Sequence, residues 1–278
     1  MRRMIVADSS CDLNKDLEKR LDIRLVPFSI EVEDKKFTDD KDLEVNNLIR
    51  AMNKSPNPVK TSCPSPGDFA VEYLDMDSVF AVTISSKLSG TYNSAFLARD
   101  MILEKNPEKF IHVFDSKSAS VGETLVAIKI QEMIEQNLKN LDIVEKVEKY
   151  IGEMKTFFIL ESLDNLIKNG RISKTKGLVA NILNLKPIMG DDGDGNIQLV
   201  ENNRGSKKAF KRLVEIIGET GERLEEKTLG IAHANALEKA ENLKDEIEKL
   251  YNFKEIFIVK AGGLSTAYAS DGGIILAF

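Results

Sequence analysis

The chain has 278 residues, 42% of them apolar and 30% charged, with a formal charge of −6 and no tryptophan. That length favours two domains over a single core, and the acidic balance excludes an overall basic footprint for nucleic acid. Two cysteines, Cys11 and Cys63, argue against a disulfide framework and fit a reducing compartment. No apolar run approaches the ~18 residues needed to span a bilayer. The opening "MIVA" is too short for a signal-peptide core, so the chain reads as cytoplasmic.

In chain order, "MIVA" (4–7), "VFAVTI" (79–84) and "IHVF" (111–114) read as strands buried on both faces. The segment "IRLVPFSIEVEDKKF" (23–37) reads as a further strand whose continuation lies near a sheet edge because of Pro27. A helix "DLEVNNLIRAMNKSPN" leads into "KTSCPSPGDF" (60–69), which presents Thr61, Ser62 and Ser65 on a turn stiffened by Pro64 and Pro66. Helix patterns "GTYNSAFLARDMILEK" and "GETLVAIKIQEMIEQN" follow the second and third strands, and the alternation predicts a parallel sheet with covering helices. After the charged helix "LDIVEKVEKYIGEMK" the pattern changes. "TFFILESL" (156–163) is followed by two short helical patterns, then "LKPIM", the turn "GDDGDG" and "NIQLVEN", a hairpin signal. A basic helix "GSKKAFKRLVEIIGET", a strand "TLGIAHA", a helix "ALEKAENLKDEIEKL", a strand "EIFIVK" and a closing "IILAF" complete an α+β pattern. The expected fold is α/β, with a parallel-sheet α/β domain over 1–155 and an α+β domain with a mixed sheet over 156–278.

Ligands bind outside the carboxyl ends of strands in open parallel sheets. Here those exits read "DSSCD" (Asp8, Ser9, Ser10), "SSKLSGTYNS" (Ser85, Ser86, Ser89, Gly90, Thr91) and "DSKSASVG" (Asp115, Ser116, Ser118, Ser120). Taken singly, each is ordinary helix-capping chemistry. Together with "TSCPSP" they point to helix N-termini rich in hydroxyls and free N–H groups, an anion-binding arrangement, where Gly90 lets a ligand approach the backbone. Neither a Walker A loop nor a G-x-G-x-x-G fingerprint occurs. A serine nucleophile needs a base, and only His112, inside a strand pattern, and His233, at a strand exit, are available. "DDGDGN" fails the calcium-loop template because its sixth and twelfth positions from Asp192 are Ile197 and Asn203; it reads as a solvated turn, and no metal site is expected. Arg171 beside Gly170 and Arg204 beside Gly205 have room to reach a carboxylate or phosphate.

Taken together, "VADSSCDL", "TSCPSP", "ISSKLSGTYNSA", "VFDSKSASVG", "ESLDNLIKNGRIS", "LKPIM…DGNIQ" and "NNRGSKKA" resemble the DegV family, in the family's order and through nearly the whole chain. The resemblance implies a non-catalytic lipid carrier of two α/β domains, with a long-chain fatty acid buried between them and no cofactor. It further implies, for many bacterial members, service to a separate ATP-binding fatty acid kinase subunit, which converts the presented carboxylate to an acyl phosphate for phospholipid synthesis. By resemblance, Thr61 and Ser62 lie beside the carboxylate, Ser94 or its neighbours Ser89 and Gly90 face them, and Arg171 and Arg204 look toward the head group or the kinase subunit.

The family's closing "GTHxGPG", whose histidine contacts the carboxylate, is here "STAYASDGG". Tyr268 holds the histidine position, and Ser270, Asp271 and Gly272 replace "GPG". A tyrosine can donate a hydrogen bond to a carboxylate but carries no positive charge near neutral pH, and Asp271 nearby is expected to repel one. The family's "GGR" is "NGR" in this chain. Two other readings stand beside the carrier: a serine hydrolase or acyltransferase using Ser62, Ser86 or Ser89, and a binder of a different polar small molecule. Pocket walls built from Leu, Ile and Phe favour the carrier, and charged walls the polar binder.

Overall fold

The structure, a computed structural model, describes residues 2–172 and 185–278. In chain order the elements of the first half are β1 (Arg3–Asp8), α1 (Lys15–Arg20), β2 (Ile23–Val26), β3 (Ser29–Val32), β4 (Lys35–Thr38), α2 (Val45–Met52), β5 (Lys60–Ser62), α3 (Pro66–Tyr73), β6 (Ser78–Thr83), α4 (Thr91–Leu103), β7 (Phe110–Asp115), α5 (Val121–Glu135) and α6 (Asn140–Glu153). Then come β8 (Thr156–Ile159), α7 (Asp164–Lys168), β9 (Leu185–Asp191), β10 (Ile197–Arg204), α8 (Ser206–Thr220), β11 (Thr228–His233), α9 (Leu237–Glu248), β12 (Glu255–Lys260), α10 (Gly263–Ala269) and β13 (Ile274–Ala277). The second of the two short helical patterns expected after "TFFILESL" lies outside the described residues.

Two sheets and a smaller third organise these elements. A parallel sheet runs β2-β1-β6-β7, and a mixed sheet runs β10-β9-β8-β13-β11-β12 with only its β11–β12 pair parallel. The first is drawn entirely from residues before 116 and the second entirely from residues after 155. Helix α5 lies between them and packs on β1, β6, β11 and β13. A helix contacted by sheets on two sides cannot be amphipathic, and α5 obeys: Val121, Leu125, Val126, Ala127, Ile128 and Ile130 are all buried. Helices α3 and α4 cover the far face of the parallel sheet, and α8 and α9 the far face of the mixed sheet.

Pro27 does more than mark an edge. The parallel ladder stops at the Asp8–Val26 pair, because proline has no N–H to continue it. The chain then leaves that sheet and starts the third one, an antiparallel β4-β3-β5. The single strand expected over 23–37 is therefore three strands in two sheets. The stretch 60–69, expected as a turn, contributes β5 before it turns. Ser65 then caps α3 in a reciprocal capping box with Asp68, with Pro66 in the first turn. Among the described residues, no helix is long and apolar enough to cross a membrane.

Candidate functional site

The residues just beyond the carboxyl ends of β1, β6 and β7 form one side of a cavity: Ser10, then Ile84, Leu88 and Ser89, then residues 117–120. Opposite stand Thr156, Phe158 and Leu160 on and after β8, the β9–β10 hairpin at 195–197, and Leu264, Ser265, Tyr268 and Ala269 of α10. Phe28 and Thr61 of the small sheet, with Leu166 and Arg171 around α7, complete it. Counting its mouth and the open solvent there, the cavity holds about 890 Å³ free of protein atoms. Phe28, Phe158, Ile84, Leu88, Leu160 and Leu264 are among its walls, and although Lys117, Arg171 and Asp191 also reach the lining, the surface it exposes is mainly apolar, which excludes water from an apolar ligand.

Two hydrogen-bonded pairs of hydroxyls line those walls, Ser118–Thr156 and Thr61–Tyr268. Thr61 Oγ1 and Tyr268 Oη are hydrogen-bonded at 2.9 Å, joining two lining residues 207 positions apart. The pairing of β3 with β5 sets Thr61 opposite Ile30, and α10 carries the Tyr268 ring against Ala267, Leu48 and Phe28 neighbours. Each hydroxyl can donate one proton and accept two, so the pair can turn a proton toward an anionic oxygen.

Most hydroxyls of the strand exits are committed within the protein. Ser9 Oγ donates to Asp39 and accepts from the Phe28 N–H, and Ser10 Oγ accepts from the Ser120 N–H. Ser120 Oγ donates to Asp12, Ser116 Oγ to the Ser118 carbonyl, and Ser118 and Thr156 share a bond at 2.7 Å. Ser85 Oγ donates at 2.8 Å to the Gly195 carbonyl. The "GDDGDG" turn is exposed at Asp192, Gly193 and Asp194, as expected of a solvated turn, but Gly195 is buried against Ser85 and lines the cavity. Gly195 allows the approach: its φ is +90°, and a Cβ there would meet Ser85 Oγ at 2.4 Å.

Of the residues singled out in the sequence, Thr61, Ser89, Arg171 and Tyr268 line the cavity, whereas Ser62, Gly90, Ser94 and Arg204 are not among its lining residues. Gly90, at the N-terminus of α4, lies against the exposed Cys63, so "TSCPSP" and "SGTYNSA" do meet. Arg171 gives Nε to the Leu88 carbonyl at 3.0 Å and Nη1 to the Asn169 carbonyl at 2.6 Å, tying α7 to the loop after β6. Arg204 stands exposed at the end of β10, just before α8. Asp271, expected to repel a carboxylate, is not among the lining residues; it is exposed and accepts a hydrogen bond from Asn235. Neither histidine faces the cavity. His233 Nδ1 accepts the Ala236 N–H at 3.1 Å, and burial, then the Lys260 charge, push its imidazole below the usual range. His112 packs edge-on against Phe114 and lies 3.4 Å from Glu148.

Three acids are fully buried, Asp8 of the first strand exit together with Asp12 and Glu123, which the sequence did not single out. Burial pushes the Asp8 carboxyl up to about 7, although its oxygens accept the N–H groups of Ser10 and Ile84. Asp12 is likewise pushed up to about 7 by burial, against the opposing bond from Ser120. Glu123 on α5 is fully buried, with neither carboxyl oxygen hydrogen-bonded among the described residues. Burial first and the Asp8 charge second raise it well above the ordinary carboxyl range. Among the described residues, no group of acids, histidines and cysteines is arranged to hold a metal ion.

The family model described as "Uncharacterised protein, DegV family" matches residues 3–278. The chain belongs to the DegV family. This DegV protein is 34% identical over 276 residues to a DegV domain-containing protein of Streptococcus pyogenes serotype M1, covering 99% of this chain and 98% of the relative. Its fold superposes with a TM-score of 0.96 on a DegV family protein from Ruminococcus gnavus refined with vaccenic acid, at 39% identity and 99% coverage of each chain. A DegV protein from Eubacterium eligens loaded with heptadecanoic acid gives a TM-score of 0.92 at 32% identity, covering 99% of this chain and 98% of that one. The Streptococcus pneumoniae Fatty Acid Kinase (Fak) B3 protein loaded with linoleic acid gives 0.91 at 32% identity, covering 100% and 99%.

Proposed function

We propose that this DegV protein is a non-catalytic carrier that buries the tail of a long-chain fatty acid between its two sheets and holds the carboxylate near the Thr61–Tyr268 pair. The observation that carries the reading is a largely apolar cavity with the Thr61–Tyr268 hydroxyl pair in its wall, in a fold nearly identical to chains solved with vaccenic, heptadecanoic and linoleic acids. The tail provides most of the driving force, about 0.8 kcal/mol for each buried CH₂, less the ordering cost of association. The hydroxyls net only about 0.5–1.5 kcal/mol each, so they orient the acid more than they hold it. Ser62, Ser89, Gly90 and Ser94 flank this end. Arg171 braces the wall, and Arg204 faces outward toward a separate ATP-binding kinase subunit that takes the carboxylate as its substrate. Residues 1–155 and 156–278 act as two domains closing on the ligand, with no cofactor or metal required. The free thiols of Cys11 and Cys63 suit a cytoplasmic setting.

The cavity walls disfavour a polar ligand. The committed Nδ1 of His233 and the placement of His112 outside the cavity leave the serines without a histidine base. Mass spectrometry of the organic extract from denatured, purified protein tests the reading: a near-stoichiometric fatty acid is expected. An extract that stays empty after incubation with mixed fatty acids would overturn it.

A further inference from the structure

Asp39 sits in the loop after β4 with no sequence motif around it, yet it is 6% exposed and joins three parts of the cavity wall. Its Oδ1 accepts the Gly263 N–H at 2.6 Å and its Oδ2 the Leu264 N–H at 2.8 Å, the first turn of α10. Oδ2 also accepts Ser9 Oγ at 2.9 Å, and Ser9 in turn receives the Phe28 N–H. The Asp39 N–H donates to the Phe28 carbonyl at 2.9 Å. Phe28 and Leu264 are both cavity walls, in one apolar cluster with Tyr268. A second carboxylate repeats the arrangement one residue earlier, where Asp12 Oδ1 accepts the Gly262 N–H at 2.7 Å.

The glycines make this possible. A Cβ on Gly263 would lie 2.5 Å from Asp39 Oδ1 and 2.4 Å from a Leu43 methyl, and one on Gly262 would lie 3.0 Å from Asp12 Oδ1. Any other residue at Gly263 would push the Asp39 carboxylate off the backbone, and one at Gly262 would crowd Asp12. Two acids from the first half of the chain therefore hold the start of a seven-residue helix from the far C-terminal end. That helix is too short to be stable alone, and it carries Tyr268 one turn further on.

We propose that Asp39 is the positioning residue of the head-group end: its grip on the first turn of α10 sets Tyr268 against Thr61 and so determines how well the protein distinguishes a carboxylate from a neutral head group. Asp12 supports the same turn. The proposal rests on the fatty-acid reading for its effect on binding, but the clamp itself is independent of ligand.

Two measurements on Asp39→Asn test it. In lipid-stripped protein, amide hydrogen exchange read by mass spectrometry should quicken selectively in peptides spanning 262–269. In the binding assay, displacement of a fluorescent fatty acid by oleic acid and by methyl oleate should show the wild-type preference for the acid reduced by about 3- to 10-fold, the scale of one or two hydrogen bonds. Combined with Tyr268→Phe, the double variant should lose little more than Tyr268→Phe alone, because both act through one hydroxyl; a merely structural loss would multiply. If Asp39→Asn does not fold, Ser9→Ala, which keeps the carboxylate and removes one of its donors, should give a smaller shift in the same two readouts. Unchanged exchange in α10, an unchanged acid preference, or multiplying effects would each overturn the proposal. Wild-type protein that binds neither oleic acid nor its ester would overturn the fatty-acid reading and the head-group role with it, whatever the exchange experiment shows about the clamp.

Discussion

Tyr268 shows what a single residue can and cannot do here. Its ring fills space where three apolar clusters meet, and its hydroxyl has Thr61 as partner. Tyr268→Phe and Thr61→Val should each reduce preference for a fatty acid over its methyl ester by about 2- to 10-fold while leaving tail affinity largely intact. Competition titrations with the two ligands would measure this, and wild-type preference in both variants would move the head group elsewhere. Gly195 is constrained for a different reason. Its positive φ and its contact with Ser85 leave no room for a methyl group, so Gly195→Ala should destabilise the protein by about 1–3 kcal/mol in denaturant melts. The sequence made Thr61, Arg171 and Tyr268 visible as candidates through motif and resemblance. The capping reading allowed the strand-exit serines internal partners, but it did not reveal that Ser9, Ser118 and Ser120 bond Asp39, Thr156 and Asp12, because those partners are brought in by folding.

At the scale of elements, α5 carries the most consequential feature. Both sheets pack on it, and Glu123 is buried within it beside Asp8 and Asp12. All three carboxyls are raised above their unfolded values, so between roughly pH 4 and 7 the native state binds more protons than the unfolded one. Stability from these groups is then greatest at the acid end and falls as pH rises through their native values. Glu123→Gln, which removes the group that resists ionisation, should raise the melting temperature more at pH 8 than at pH 5. Equal shifts at both values would mean that Glu123 is charged in the native protein. Exposed acids with lowered values, such as Glu219 beside Arg212, act in the opposite sense, but surface pairs contribute little each. Strands β1 and β6 are legible because burial on two faces demands their β-branched runs, whereas β7 and β12, at sheet edges, carry such runs with only part of their residues buried. By contrast, α10 is hidden. "GLSTAYA" has neither length nor a cap of its own, and its first turn is satisfied by Asp39 and Asp12, more than 220 residues away.

At the scale of the whole molecule, the cavity belongs to no single sheet. Its walls come from the exits of the parallel sheet, the β8 strand, the β9–β10 hairpin, α10 and the small sheet. A ligand that fills it binds the folded chain and not the unfolded one, so it must stabilise by linkage, about 2.7 kcal/mol at a hundredfold excess over Kd. Stripping bound lipid should therefore lower the melting temperature by at least several degrees, and adding oleic acid back should restore it. A melting curve indifferent to lipid would separate the cavity from fatty-acid binding.

The sequence by itself determined the main strands and helices of the two sheets, the change of pattern near residue 155 and the family resemblance, because periodicity, capping and motif order are local properties. Only the tertiary structure decided that Pro27 splits one expected strand between two sheets, that the acidic hairpin docks on Ser85, and that Tyr268 faces Thr61. Each of these depends on which distant groups arrive within hydrogen-bonding reach. That is a consequence of packing α5 between two sheets, and no stretch of neighbouring residues encodes it.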